Sequence, residues 1–165
     1  MADDVVAQLV EAAPIIHRIA RAVVPELEDA EEALGEGLMM LADALLTPAG
    51  AALDAAGRRM LTLELGARAA LGFPSGRPRG LEKPAVGGRL RVAPCEDASA
   101  EADTLAAARA LAGIDAMYRL VLLLREQEGL DRATIARLLR VSERAVEIRL
   151  ERARGHVALS MGARG

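Results

Sequence analysis

The chain has 165 residues, 52% of them hydrophobic and dominated by alanine and leucine, with a formal net charge of −3. Phe73 and Tyr118 are its only aromatic residues, which argues against a β-sandwich and against stacking platforms for single-stranded bases. A single cysteine, Cys95, excludes an intramolecular disulfide framework, and two histidines, His17 and His156, are too few for a metal cluster.

Taken in chain order, the apolar spacing predicts a helix from Asp4 to Val24, a second from Asp29 to Leu46 and a third from Gly50 to Leu71. Pro25 and an acidic first turn introduce the second helix, which Gly35 and Gly37 are expected to interrupt at roughly 0.5–1 kcal/mol each. His17, beside Ile15, Ile16 and Ile19, reads as a structural histidine, and the run Leu38-Met-Met-Leu41 reads as core filling. Across residues 1–47 two arginines stand against ten carboxylates, an acidic surface suited either to a basic partner or to solubility. From Gly72 to about Asp97 the chain carries Pro74, Pro78, Pro84 and Pro94 among Gly76, Gly80, Gly87 and Gly88, a density that reads as a flexible linker. Cys95 falls within it and reads as an inert loop thiol.

Beyond the linker, Leu105 to Leu111 and Asp115 to Glu128 are helical in pattern, with Gly113 between them. A short helix from Asp131 to Leu139 then turns inward Ile135, Leu138 and Leu139, and a tight connection through Arg140 and Val141 leads to a second helix that Ser142 caps. Val146, Leu150, Ala153 and Val157 form the buried stripe of that second helix, and Val141 plugs the angle between the two. This is a helix-turn-helix. Its few apolar side chains, worth roughly 1.5–3 kcal/mol each, are too little for independent stability, so the pair must lean on the helices before it. The expected class is therefore all-α, with a helical domain over residues 1–71, a linker over 72–98 and a helix-turn-helix domain over 99–165.

The stretch Leu122-Leu-Leu-Arg-Glu-Gln-Glu-Gly-Leu130, with Ile135-Ala136, Leu139, Val141-Ser142, Val146 and Arg149-Leu-Glu-Arg-Ala-Arg154, resembles region 4 of the sigma-70 family, which reads the −35 promoter element. Ile19-Ala20-Arg21 with Asp29-Ala-Glu-Glu32, Leu34, Glu36 and Leu38 resembles region 2, whose helix docks on RNA polymerase. Together with the two-domain layout, the likeness is to the small extracytoplasmic-function sigma factors. It implies polymerase contact through Asp29, Glu32, Leu34, Glu36 and Leu38. It also implies DNA contact through Arg132, Thr134, Arg140, Arg144, Glu147, Ile148, Arg149 and Arg152, with Arg137 on the same arginine-rich face. RNA polymerase core, promoter DNA and an anti-sigma factor are the partners implied.

Two departures fall on the residues that would read DNA. Leu53 to Leu65, where the family carries aromatic residues that capture bases of the melted −10 element, has none, and such stacking is worth roughly 1–3 kcal/mol per base. With the Val146 stripe turned inward, the outward arc of the recognition helix holds Glu143, Arg144, Glu147, Ile148 and Glu151. Three glutamates four residues apart repel one another and phosphate, and although one can accept from cytosine N4, three together suit a protein partner or solvent better. Ile148 is expected to be exposed in that arc. Two further readings therefore stand beside a sigma factor: a sigma-shaped protein that binds an anti-sigma factor or polymerase without reading DNA, and a helix-turn-helix regulator dimerising through its amino-terminal domain. No catalytic motif is present, neither Gly-x-Ser-x-Gly nor a phosphate loop, so no enzyme activity and no cofactor are expected. An acidic amino terminus and the lack of any apolar run near the roughly 18 residues of a membrane span lead to the expectation of a cytoplasmic protein, and a monomer is expected.

Overall fold

Seven helices and no strand occur among the described residues, which in this computed structural model are 2–72 and 114–162. Helix α1 (Ala2–Val23) turns Ala12, Ile16, Ile19, Ala20 and Val23 inward, a 3.6-residue stripe that packs on α2 (Leu27–Leu45) and α4 (Ala55–Gly72). The three form the amino-terminal lobe. The carboxy-terminal lobe is α5 (Ala116–Glu126), α6 (Arg132–Leu139) and α7 (Glu143–Gly162). Apart from Gly72, the Pro/Gly-rich segment with Cys95 lies outside the described residues, as does the helix expected over Leu105 to Leu111.

Two elements differ from expectation. The helix expected over Gly50 to Leu71 is broken into a four-residue turn, α3 (Pro48–Ala51), and α4, with residues 52–54 between them. Capping explains the break: Thr47 accepts from the Gly50 amide at 3.0 Å and Asp54 from the Gly57 amide at 2.7 Å, so two side chains start two helices. In α2, by contrast, the helix runs unbroken through Gly35 and Gly37. Gly37 lies where α1 crosses, and a Cβ there would stand 2.8 Å from Ile16 Cγ2, so the missing side chain is what lets the two helices approach. Gly35 faces open space. Gly35→Ala is accordingly expected to stabilise the protein by about 0.5–1 kcal/mol, read as a higher denaturant midpoint, with Gly37→Ala moving the midpoint down.

The lobes share one core. Ile19, Val23, Leu63, Ala67 and Ala70 of the first meet Leu120, Val121, Leu124, Ile135 and Val146 of the second in a single apolar cluster. A smaller cluster of Ala12, Ile16, Leu41, Leu45 and Leu65 fills the far end of the amino-terminal lobe. The helix-turn-helix does lean on preceding helices: both of its helices pack on α5 and α6 also meets α4, while α1 packs against α5. Of the run Leu38 to Leu41, Leu41 is core, whereas Met39 is 71% exposed and fills nothing. His17 is half-buried.

Candidate nucleic-acid interface

Three side-chain caps shape the helix-turn-helix. Asp115 opens α5, accepting from the Met117 amide at 2.9 Å. Asp131 opens α6, accepting from the Thr134 amide at 2.8 Å and from the Thr134 hydroxyl at 3.0 Å. The amide first and the hydroxyl next hold the Asp131 carboxyl below its ordinary range, so the cap is charged at neutral pH. Ser142 opens α7, accepting from the Ala145 amide at 3.2 Å, in the role expected of it. Between α5 and α6 the chain reverses at Gly129, whose φ of +70° suits a residue without a Cβ. Arg125 donates to the Leu130 carbonyl at 2.9 Å and fixes that turn.

The turn between α6 and α7 passes through Arg140, which has φ 54° and ψ 44°, a left-handed conformation unusual for a side-chain-bearing residue. Its amide and that of Val141 close α6 by bonding the Arg137 and Ala136 carbonyls at 3.3 and 3.0 Å. Val141, half-buried against the core, fills the angle between the helices, while Val146, Leu150 and Ala153 are buried behind it and Val157 partly so.

Around this frame the arginines are engaged within the protein. Arg132 and Arg144 both reach Glu147: Arg132 Nη1 lies 3.0 Å from Oε1 and Arg144 Nη1 lies 2.6 Å from Oε2. Arg144 first and Arg132 second depress the Glu147 carboxyl, and the same contact raises Arg144. The repulsion expected among three glutamates is thereby relieved at the middle one, because residues on two helices converge there. Arg137 donates to the Thr134 hydroxyl at 3.3 Å, Arg152 to the Tyr118 hydroxyl at 3.1 Å, and Arg154 pairs with Glu126. Arg140 reaches toward Glu64 of α4 at 3.8 Å, a contact between the lobes. Ile148 is half-buried, not exposed: the arc turns it partly onto the protein. Arg149 is half-buried, with Nη1 inside the surface, so it sits nearer the core than Arg132, Arg140, Arg144 and Arg152, all of which are exposed.

On α2 the candidate docking residues divide. Glu32 and Glu36 are exposed and Asp29 is half-buried, whereas Leu34 and Leu38 pack against the smaller apolar cluster. The outward surface near them carries Glu28, Glu31 and Met39 instead.

Sequence reasoning missed Glu128. Its side chain is 3% exposed, and it receives Arg18 of α1 at 2.9 Å and Arg59 of α4 at 3.0 Å, so one carboxylate ties the turn before α6 to two helices of the other lobe. Arg59 also donates to the Glu128 carbonyl at 3.3 Å, and Arg119 of α5 donates to the Val23 carbonyl at 2.8 Å, where α1 ends. A carboxylate lying between Leu124 and Leu130 was the one available signal. Its partners, 110 and 69 residues away, follow no local spacing.

No group of three His, Cys, Asp or Glu among the described residues is placed to hold a metal ion, and no described helix is long and apolar enough to cross a membrane. Comparison with curated proteins finds no match to the chain. Comparison with family models matches residues 104–157 to "Sigma-70, region 4". Helices α5 and α6 and most of α7, the capped helix-turn-helix included, therefore fall within a stretch that matches region 4 of the sigma-70 family.

Proposed function

We propose that this protein is a sigma-factor-like component of transcription initiation, of the small extracytoplasmic-function kind. Its carboxy-terminal lobe contacts promoter DNA, and its amino-terminal lobe contacts RNA polymerase core. The observation that carries the reading is the coincidence of a properly capped helix-turn-helix with the region 4 match. Arg132, Arg140, Arg144 and Arg152, exposed around α6 and α7, are the phosphate-binding groups, and α7 is the helix that enters a major groove. Core polymerase is met by the acidic outer face of α2, through Glu28, Glu32 and Glu36 with Met39. The protein acts by binding, without catalysis or cofactor, as a cytoplasmic monomer that an anti-sigma factor can hold.

One observation favours a second reading, a sigma-shaped protein that binds partners without reading DNA: most of the arginines of the DNA face are already engaged by the protein's own groups. A salt titration of binding to duplex DNA separates the two. The sigma reading expects log K to fall with log salt at a slope of about −3 to −5, shallower by about 2 in Arg140→Ala with Arg152→Ala, and expects initiation when the protein is added to core polymerase on a bound template. Absence of DNA binding at low salt, with polymerase or a single small protein still captured, would overturn it in favour of the second.

A further inference from the structure

We propose that Glu147 is a base-reading residue of α7 that selects cytosine, with Arg132 and Arg144 as positioning residues that hold its carboxylate. The proposal rests on the reading that α7 enters a major groove. A glutamate in that position is puzzling alone, since a free carboxylate facing phosphates lowers affinity for every sequence. The geometry removes the difficulty. Each carboxylate oxygen takes one guanidinium, Oε1 from Arg132 and Oε2 from Arg144, so the trio carries a positive charge and presents no net repulsion to the DNA backbone.

The carboxylate is also held, not merely neutralised. Its two partners come from different helices of the motif, one from the first turn of α6 and one from the first turn of α7, so the side chain is braced from both. Glu147 is 32% exposed, beside arginines at 56% and 71%, which leaves the acceptor accessible between two outer cations that can reach phosphates. One lone pair on each oxygen remains after both ion pairs are made. An ionised carboxylate only accepts, and the major groove offers it two amino donors, cytosine N4 and adenine N6. Adenine sets the N7 acceptor beside its donor, which repels a carboxylate, whereas cytosine presents N4 as its only polar group there. Cytosine is thus the base that this group fits.

The test is selection of bound duplexes from a randomised pool by the full chain and by Glu147→Gln, followed by competition binding at the enriched positions. Circular dichroism first establishes that the variant is folded. Wild type is expected to enrich a site with a cytosine at one position, and Glu147→Gln to shift that position alone to adenine, whose N6 and N7 suit an amide, changing the relative affinity by about 5- to 150-fold. Arg132→Ala with Arg144→Ala is expected to relax the cytosine preference while leaving other positions of the site unchanged, a readout that simple loss of charge does not produce. Enriched sites whose base preferences are the same in Glu147→Gln overturn the proposal and leave DNA contact standing. A uniform gain in affinity for all sequences overturns it too, since Glu147 is then only a brake on its arginines. Failure of the wild-type chain to enrich any sequence removes the DNA reading itself, and the proposal with it.

Discussion

Replacing Arg18 and Arg59 together by alanine is expected to destabilise the protein by about 3–5 kcal/mol, while Glu128→Gln costs about 1–2 kcal/mol. The asymmetry follows from burial. Glu128 is 3% exposed, so without both arginines its charge stays out of water with nothing to compensate it, whereas the arginines are 45% and 52% exposed and rehydrate when the carboxylate is removed. Glutamine keeps the shape and one acceptor oxygen, which softens the loss further. Urea denaturation of the two variants against wild type measures the difference. Equal, small effects from both would mean that the triad behaves as an exposed ion pair, worth about 0–1 kcal/mol, and adds little to the joining of the lobes.

Leu120→Ala is expected to cost about 2–5 kcal/mol, and the loss should be felt in both lobes. Leu120 is fully buried on α5 in a cluster that includes Ile19 and Val23 of α1, Leu63 of α4 and Val146 of α7, so truncating it leaves a cavity in the core that the two lobes share. Unfolding is therefore expected in one transition, moved as a whole to lower denaturant, with amide exchange accelerated in α1 as well as in α7. Two transitions, with only that of the carboxy-terminal lobe shifted, would show that the lobes fold independently and would favour separate domains over residues 1–71 and 99–165.

The expected consequence for DNA binding lies in the same interface. Arg140 spans from the helix-turn-helix to Glu64 of α4, and Glu128 stands at the turn into α6, so the positioning of the candidate DNA face depends partly on the amino-terminal lobe. Destabilising that interface and disarming the arginines are different changes. The first lowers the denaturant midpoint, whereas Arg152→Ala, which lies outside that interface, reduces the salt slope without moving it.

What the chain determined by itself is local. Ser142 caps α7 because a hydroxyl one residue before a helix can reach an amide in its first turn, and the Val146, Leu150, Ala153 stripe is buried because it repeats every 3.6 residues. Those rules act over three or four residues, and they made the all-α class and the helix-turn-helix legible. Tertiary structure decided the rest. That Gly37 is needed in α2 depends on the approach of Ile16 from α1, that Leu34 and Leu38 turn inward depends on the cluster beneath them, and that Glu147 is braced from two helices depends on Arg132 of α6. Glu128 is the clearest case. Its arginines lie 110 and 69 positions away, and no periodicity within a helix carries information over such a distance; only the packing of α1 and α4 against α5 brings the three charges together.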